Sequence, residues 1–260
     1  MDGSERKKII VLGLIAAVFA VIILCFPKDV KDETGALHVG SGDDITGVFL
    51  QRICTLAEED GNGLITEYAF ADCCGSSAEW ALRTGDIDLG FYCSQAALSM
   101  INALDEYEIY APAVLNCEVV AVEQGFDPAG IRMLGVPRGR DFLRSIAAEK
   151  YPAAEQFGDI SRGLLMFALR SGEADGVVVD VSALTDLDME ADFYPLCDHD
   201  YISYCLVVRK DLVGTESFER FLGYLNEAAE DLNRTDRQVE LMGMDEDFWD
   251  MTGLRFLSIE

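Results

Sequence analysis

From Leu37 onward the chain alternates short apolar runs with longer stretches whose apolar residues recur every three to four positions. The short runs predict strands and the longer stretches amphipathic helices. A strand opening at Leu37 passes through Asp43-Asp44, a residue type that caps helices. It enters a helix bearing Ile45, Val48, Phe49, Ile53 and Leu56 on one side, ended by Gly61-Asn62-Gly63. Strands follow at Ile65–Phe70 and 87–91, and one long strand is predicted over 114–122. The pattern resumes with a strand at 131–137, a helix from Asp141 and a strand ending at Asp180. A return segment, 194–208, leads to a helix over Glu216–Leu232, whose residues Phe218, Phe221, Leu222, Leu225, Ala229 and Leu232 form one apolar side. That side is expected to pack on the first part of the chain. Alternating strands and helices predict an α/β fold with mainly parallel sheets flanked by helices.

One segment occurs twice. Ala81-Leu82-Arg83-Thr84-Gly85-Asp86-Ile87-Asp88 returns 87 residues later as Ala168-Leu169-Arg170-Ser171-Gly172-Glu173-Ala174-Asp175. Each copy reads as a helix end: Arg in the last turn complements the negative helix terminus and Gly stands at the stop. An acidic step then enters a buried-strand run, Leu89-Gly90-Phe91 in one copy and Val177-Val178-Val179 in the other. Two such units imply two similar lobes, and a cleft between lobes is a natural small-molecule site.

This double unit resembles the solute-binding proteins of ABC importers, of the two-lobed periplasmic binding protein type II fold, in the branch of sulfonate, nitrate and thiamine-pyrimidine binders. Leu37-His38-Val39-Gly40-Ser41-Gly42 resembles that family's first strand and ligand loop, and residues 131–140 its opening of the second lobe. Residues 204–211 resemble its returning strand. The resemblance implies lobe 1 over 36–113, lobe 2 over 114–202, and a return to lobe 1 with C-terminal helices over 203–260. It also implies two chain crossings that form a hinge. The role implied is capture of a small organic solute or oxyanion by closure of the lobes. The partners implied are that solute and the ABC permease and ATPase subunits, with no cofactor and no metal, and a monomer is expected.

Glu5-Arg6-Lys7-Lys8 precedes an apolar run, 9–26, of 18 residues. As helix this spans about 27 Å, close to one hydrocarbon core. The basic flank places the N-terminus in the cytoplasm and the rest outside, anchored to the membrane. An uncleaved signal anchor and a lipoprotein signal ending at Cys25 both fit; the run's length and Leu24, where a small residue is usual, favour the anchor. Residues 27–35 are polar and aperiodic and read as a linker. The formal charge is −27, and the first 26 residues contribute +1, leaving −28 on the exported part. Such a charge excludes nucleic acid and anionic membrane surfaces as partners.

Ligands of open α/β sheets bind outside the carboxyl ends of strands, where free N–H groups of helix N-termini point. The rule nominates Gly40, Ser41, Gly42 and Thr46, then Cys73 and Cys74, then Tyr92, Cys93 and Ser94 in the first lobe. In the second it nominates Arg138, Arg140, Asp180 and Ser182. Either Arg could hold a carboxylate or sulfonate, and the alternation of the two predicts that one faces the cleft. Asp43, Asp44 and Asp180 could instead receive an ammonium or amidine, with helix capping the favoured role of Asp43 and Asp44. Tyr92, Tyr201 and Tyr204 could form a flat wall.

Seven cysteines lie outside the apolar run: Cys54, Cys73, Cys74, Cys93, Cys117, Cys197 and Cys205. The odd number leaves at least one thiol unpaired. Cys197 and Cys205 could form a disulfide; the favoured reading is that the cysteines are reduced, small, apolar pocket residues. An extracytoplasmic sensor, or a metal or redox protein using Cys73, Cys74 and Cys93, are the alternative functions. No GxSxG, Walker loop, HExxH or Rossmann fingerprint is present, so the chain reads as a non-enzyme. The thiamine-pyrimidine synthase that shares the fold has a cysteine-rich run that Asp72-Cys73-Cys74-Gly75 does not reproduce.

Overall fold

The computed structural model describes residues 35–61, 63–70, 76–184 and 190–259. The apolar segment 9–26, with Cys25, lies outside them, and so do Cys73 and Cys74. No described helix is long and apolar enough to cross a membrane.

The elements form two sheets within one unit, Ala36–Glu260. The first contains β1 (Leu37–Gly42), β2 (Ile65–Phe70), β3 (Leu89–Cys93), β4 (Tyr107–Leu115), β10 (Ile202–Arg209) and β11 (Arg255–Phe256), in the order β11-β4-β10-β3-β1-β2. The second contains β5 (Glu118–Glu123), β6 (Met133–Pro137), β7 (Gln156–Ile160), β8 (Gly176–Asp180) and β9 (Ala191–Pro195), in the order β7-β6-β8-β5-β9. The helices are α1 (Ile45–Glu59), α2 (Ser76–Thr84), α3 (Ser94–Ala103), α4 (Asp141–Lys150), α5 (Leu165–Arg170), α6 (Glu216–Leu232), α7 (Thr235–Met242) and α8 (Glu246–Thr252).

The two sheets repeat one plan. In the first, β2-β1-β3 are parallel, then β10 runs antiparallel to β3 and β4. In the second, β7-β6-β8 are parallel, then β5 runs antiparallel to β8 and β9. Both sheets are therefore mixed, which corrects the expectation of mainly parallel sheets. In each, the inserted antiparallel strand is the one arriving from the other sheet. β5 enters the second sheet directly after β4, and β10 enters the first directly after β9.

The repeated segment explains itself in hydrogen bonds. Gly85 N donates to Leu82 O (3.1 Å) and Asp86 N to Ala81 O (3.0 Å); Gly172 N donates to Leu169 O (3.1 Å) and Glu173 N to Ala168 O (3.0 Å). Both glycines have positive φ, +76° and +71°, which a side chain disfavours. The closing acids match too. Asp88 accepts from His38 N at the start of β1, and Asp175 from Met133 N at the start of β6, each at 2.9 Å. Each carboxylate thus pins its strand to the central one.

The long strand expected over 114–122 is broken at Asn116-Cys117. β4 belongs to the first sheet and β5 to the second, and Asn116 turns the chain with φ +57°. The helix α6 buries Phe218, Phe221, Leu222, Leu225, Ala228, Ala229 and Leu232 and packs along α1. One apolar cluster runs from Val39 and Phe49 through Phe91 and Leu206 to Val119, Val177 and Val179, so the sheets share a core. The other face of the second sheet buries Val120, Leu134, Val136, Leu143 and Val178.

Candidate functional site

Asp44 caps α1. It has extended backbone, and its Oδ1 accepts from Thr46 N at 3.0 Å and Thr46 Oγ1 at 2.5 Å. Thr46 Oγ1 in turn accepts from Gly42 N at 3.0 Å. This local motif sends Asp44 Oδ2 away from its own helix. There it accepts from Tyr204 Oη (2.7 Å) and meets Arg140 Nη2 (3.5 Å) and Arg162 Nη1 (3.4 Å).

The partners come from the second sheet and from the strand returning to the first. Arg140 precedes α4, donates to Glu118 Oε1 at 2.7 Å and to Tyr204 Oη, and lies over the Tyr204 ring, 4.9 Å from its centroid. Glu118 opens β5; its Oε2 accepts from Ser203 Oγ (2.8 Å) and Tyr201 Oη (3.0 Å). Asp180 ends β8, and its Oδ1 accepts from Ser182 N (2.9 Å), Ser182 Oγ (2.6 Å) and, across the sheets, Ile45 N (3.2 Å). Its Oδ2 faces Cys117 Sγ at 3.6 Å.

The result is a buried group of three carboxylates (Asp44, Glu118, Asp180) and two guanidiniums (Arg140, Arg162). The Arg140 side chain is 6% exposed and that of Arg162 28%, so solvent reaches the group at Arg162. Burial, then the nearby Asp44 charge, raises the Asp180 carboxyl from its ordinary 3.8 to about 6; Arg162 pulls the other way. The same surroundings push the Cys117 thiol and the Tyr201 hydroxyl up, burial first and Glu118 second.

Of the residues nominated from strand ends, Arg140, Asp180, Ser182 and Thr46 are drawn into this group. Arg138 is exposed, so of the two arginines it is Arg140 that turns inward. Gly40 packs against the strand behind it: a Cβ there would lie 2.7 Å from Phe70 Cε1 and 2.8 Å from Ile87 Cδ1. Tyr92 is fully buried and stacks on Phe70, with ring centroids 5.5 Å apart. Cys93 is buried at the N-cap of α3, and Ser94 is half-buried in its first turn. Ser41 and Gly42 line a cavity of about 390 Å³ between α1 and the ends of β1 and β2. Cys54, Cys117, Cys197 and Cys205 are free thiols, so the bridge that Cys197 and Cys205 could have formed is absent and the favoured reading of reduced cysteines holds for these four. Among the described residues, no group of three His, Cys, Asp or Glu side chains could hold a metal ion. Glu118, Arg162 and Ser203 were not nominated. Glu118 sits where the pattern reads as unbroken strand, and no local signal distinguishes it.

No protein-family model and no curated protein matches this chain. Solved structures do. The ligand-binding component of an ABC-type import system from Staphylococcus aureus, with zinc bound, aligns with a TM-score of 0.67 at 13% identity over 86% of each chain. The periplasmic aliphatic sulphonate binding protein SsuA from Escherichia coli aligns at 0.60 and 16% identity, over 82% of this chain and 76% of that one. A putative methionine-binding lipoprotein from Bacillus subtilis aligns at 0.57 and 12% identity, over 86% and 99%. The chain has the fold of ABC-importer solute-binding proteins, the periplasmic binding protein fold.

Proposed function

We propose that this chain is the extracytoplasmic solute-binding component of an ABC importer, tethered to the membrane by its N-terminal segment. It captures a small solute between two lobes, 36–113 with 203–260 and 114–202, and presents it to a permease and ATPase. It performs no chemistry on the solute.

One observation carries the reading. The carboxyl ends of β1 and β8, one strand from each sheet, converge on a polar group whose members bridge the sheets, with Ile45 N on Asp180 and Asp44 between Arg140 and Arg162. Strand ends are where α/β sheets hold ligands, and a site shared by two lobes couples occupancy to closure. The fold that this chain has in common with importer binding components supports the same role. Two chain crossings, at Asn116 and Tyr201, supply the hinge. They are bonded to each other, Asn116 N to Tyr201 O (3.3 Å) and Tyr201 N to Asn116 Oδ1 (3.0 Å).

The test is a thermal-shift panel on the full chain in reducing buffer, against sulfonates, carboxylates, amino acids, pyrimidines and amines. A solute at about a hundred times its Kd stabilises by about 2.7 kcal/mol, a shift of several degrees. Stabilisation by one chemical class of solute is the expected result. A panel in which no solute raises the melting temperature sinks the reading.

A further inference from the structure

We propose that the solute carries a positively charged nitrogen, an ammonium or amidinium, and seats it in the cavity between α1 and the ends of β1 and β2. This rests on the reading of the chain as a solute-binding protein and names its substrate class.

The register of β1 and β2 places the lining. Val39 lies beside Glu67 and Ser41 beside Ala69, and residues paired in a parallel ladder share a face. Ser41 and Glu67 therefore both point to the side on which Gly47 and Gln51 of α1 complete the wall. The Cys54 thiol on α1 is raised to about 11 by burial and then by the Glu67 charge, in keeping with that register. Ser41 is 1% exposed, and its Oγ has no hydrogen-bond partner among the described residues. A buried hydroxyl left unpaired costs about 1–3 kcal/mol, and a ligand N–H would relieve it. Asp43 and Glu67 also line the cavity, and neither has an ion-pair partner among the described residues. An ammonium offers three donors and no acceptor, which matches one orphan hydroxyl and two open carboxylates.

Charge points the same way at every range. Among the described residues no cation lines the cavity, the neighbouring buried group holds three carboxylates against two guanidiniums, and the chain as a whole carries −27. An anionic solute meets repulsion on approach and at the site; a cationic one is steered in and neutralises it.

Titration calorimetry on the full chain with putrescine and benzamidine, against ethanesulfonate and butyrate, tests the assignment. Magnesium and sodium chloride serve as charge-only controls. The expected result is saturable binding of a cationic probe, weakened about tenfold or more by Glu67→Gln and by Ser41→Ala. Both variants should keep the fold, because Ser41 Oγ has no partner to lose and Glu67 is exposed. Glu173→Gln, a carboxylate on the second repeat, should bind as the parent does. Binding of ethanesulfonate or butyrate without the amines overturns the cationic class and leaves solute capture standing. Heat matched by magnesium, or lost equally in Glu173→Gln, overturns the site as mere charge screening. Silence from all four organic probes overturns the cationic assignment, while solute capture stands or falls on the wider thermal-shift panel.

Discussion

Asp180, at the end of the second sheet's β8, accepts a hydrogen bond from Ile45 N at 3.2 Å and so helps to cap the first helix of the other sheet. A carboxylate at a helix N-terminus is favourably placed, yet its carboxyl is raised to about 6 because it is buried beside Asp44. The folded state thus holds its proton at a pH where the unfolded chain, near 3.8, has released it. Stability from this group is complete below about pH 4, falls as pH rises to about 6, and the loss above that is on the order of 3 kcal/mol. Asp180→Asn should equal the parent near pH 4 and exceed it at pH 7. Urea midpoints from pH 4 to 7 measure this; a difference that does not change with pH refutes it.

Arg140 is the cation on which Asp44 and Glu118 both depend. Removing it leaves two buried carboxylates facing each other with Arg162 alone to compensate. Arg140→Met should cost about 3–5 kcal/mol. Tyr204→Phe removes two hydrogen bonds to charged groups, one donated to Asp44 Oδ2 and one accepted from Arg140, at about 1.5–3 kcal/mol each. Both changes strip partners from Asp44 Oδ2, so the double variant should cost less than the sum. Chemical denaturation of the four proteins checks the coupling, and strict additivity would show that the contacts act independently.

What could be read from sequence was what local chemistry writes. Gly85 and Gly172 stop helices through bonds within five residues, so the repeat was visible and carried the plan of two similar sheets with it. Asp44 was legible as a cap because Thr46 is two residues away. Its other oxygen was not, because Tyr204 is 160 residues distant and Arg162 is 118. Arg140 and Asp180 could be picked from strand ends, but nothing local shows that they answer Glu118 and Ile45. Strand direction escaped for a similar reason. Apolar alternation is the same whichever way a strand runs, so the antiparallel insertion of β5 and β10 left no mark.

Gly90 lies where β3 passes β1. A Cβ there would stand 2.8 Å from Gly40 O and 3.2 Å from Gly40 Cα, backbone atoms that cannot rotate away. Gly90→Ala should therefore destabilise by about 1–3 kcal/mol. Gly223, within α6, has nothing within 4 Å of such a Cβ. Gly223→Ala should stabilise by about 0.5–1 kcal/mol through helix propensity. Paired thermal melts compare the two, and the opposite order would contradict the close approach of β1 and β3.

Burial governs the thiols. Cys54 and Cys205 are raised to about 11, and burial also pushes Cys117 well above its usual value. At pH 8 each is almost wholly protonated, and the thiolate is the species that alkylates. Iodoacetamide should label them at least about a hundredfold more slowly in the folded chain than in denaturant. Peptide mass spectrometry without reductant should also recover Cys197 and Cys205 unlinked. Fast native labelling at Cys117, or a 197–205 bridge, would contradict the packing described.

Asn116 does two things at the crossing from β4 to β5, and they can be separated. Its backbone adopts φ +57°, which glycine tolerates and alanine does not. Its side chain ties three segments together: Oδ1 accepts from Tyr201 N at 3.0 Å, and Nδ2 donates to Asp200 Oδ1 at 2.8 Å and Gly253 O at 3.0 Å. Asn116→Gly loses the side-chain bonds but keeps the turn; Asn116→Ala loses both. Each half-buried bond contributes about 1 kcal/mol, and the left-handed turn costs alanine a further 1 kcal/mol or so. Asn116→Ala should therefore be the less stable of the two by about 1 kcal/mol. If the crossings form the hinge, exchange of the Tyr201 amide should quicken in both variants, while amides of β8 and β1 keep their protection. Uniform quickening across both sheets would mean that Asn116 supports the whole fold and that the hinge lies elsewhere.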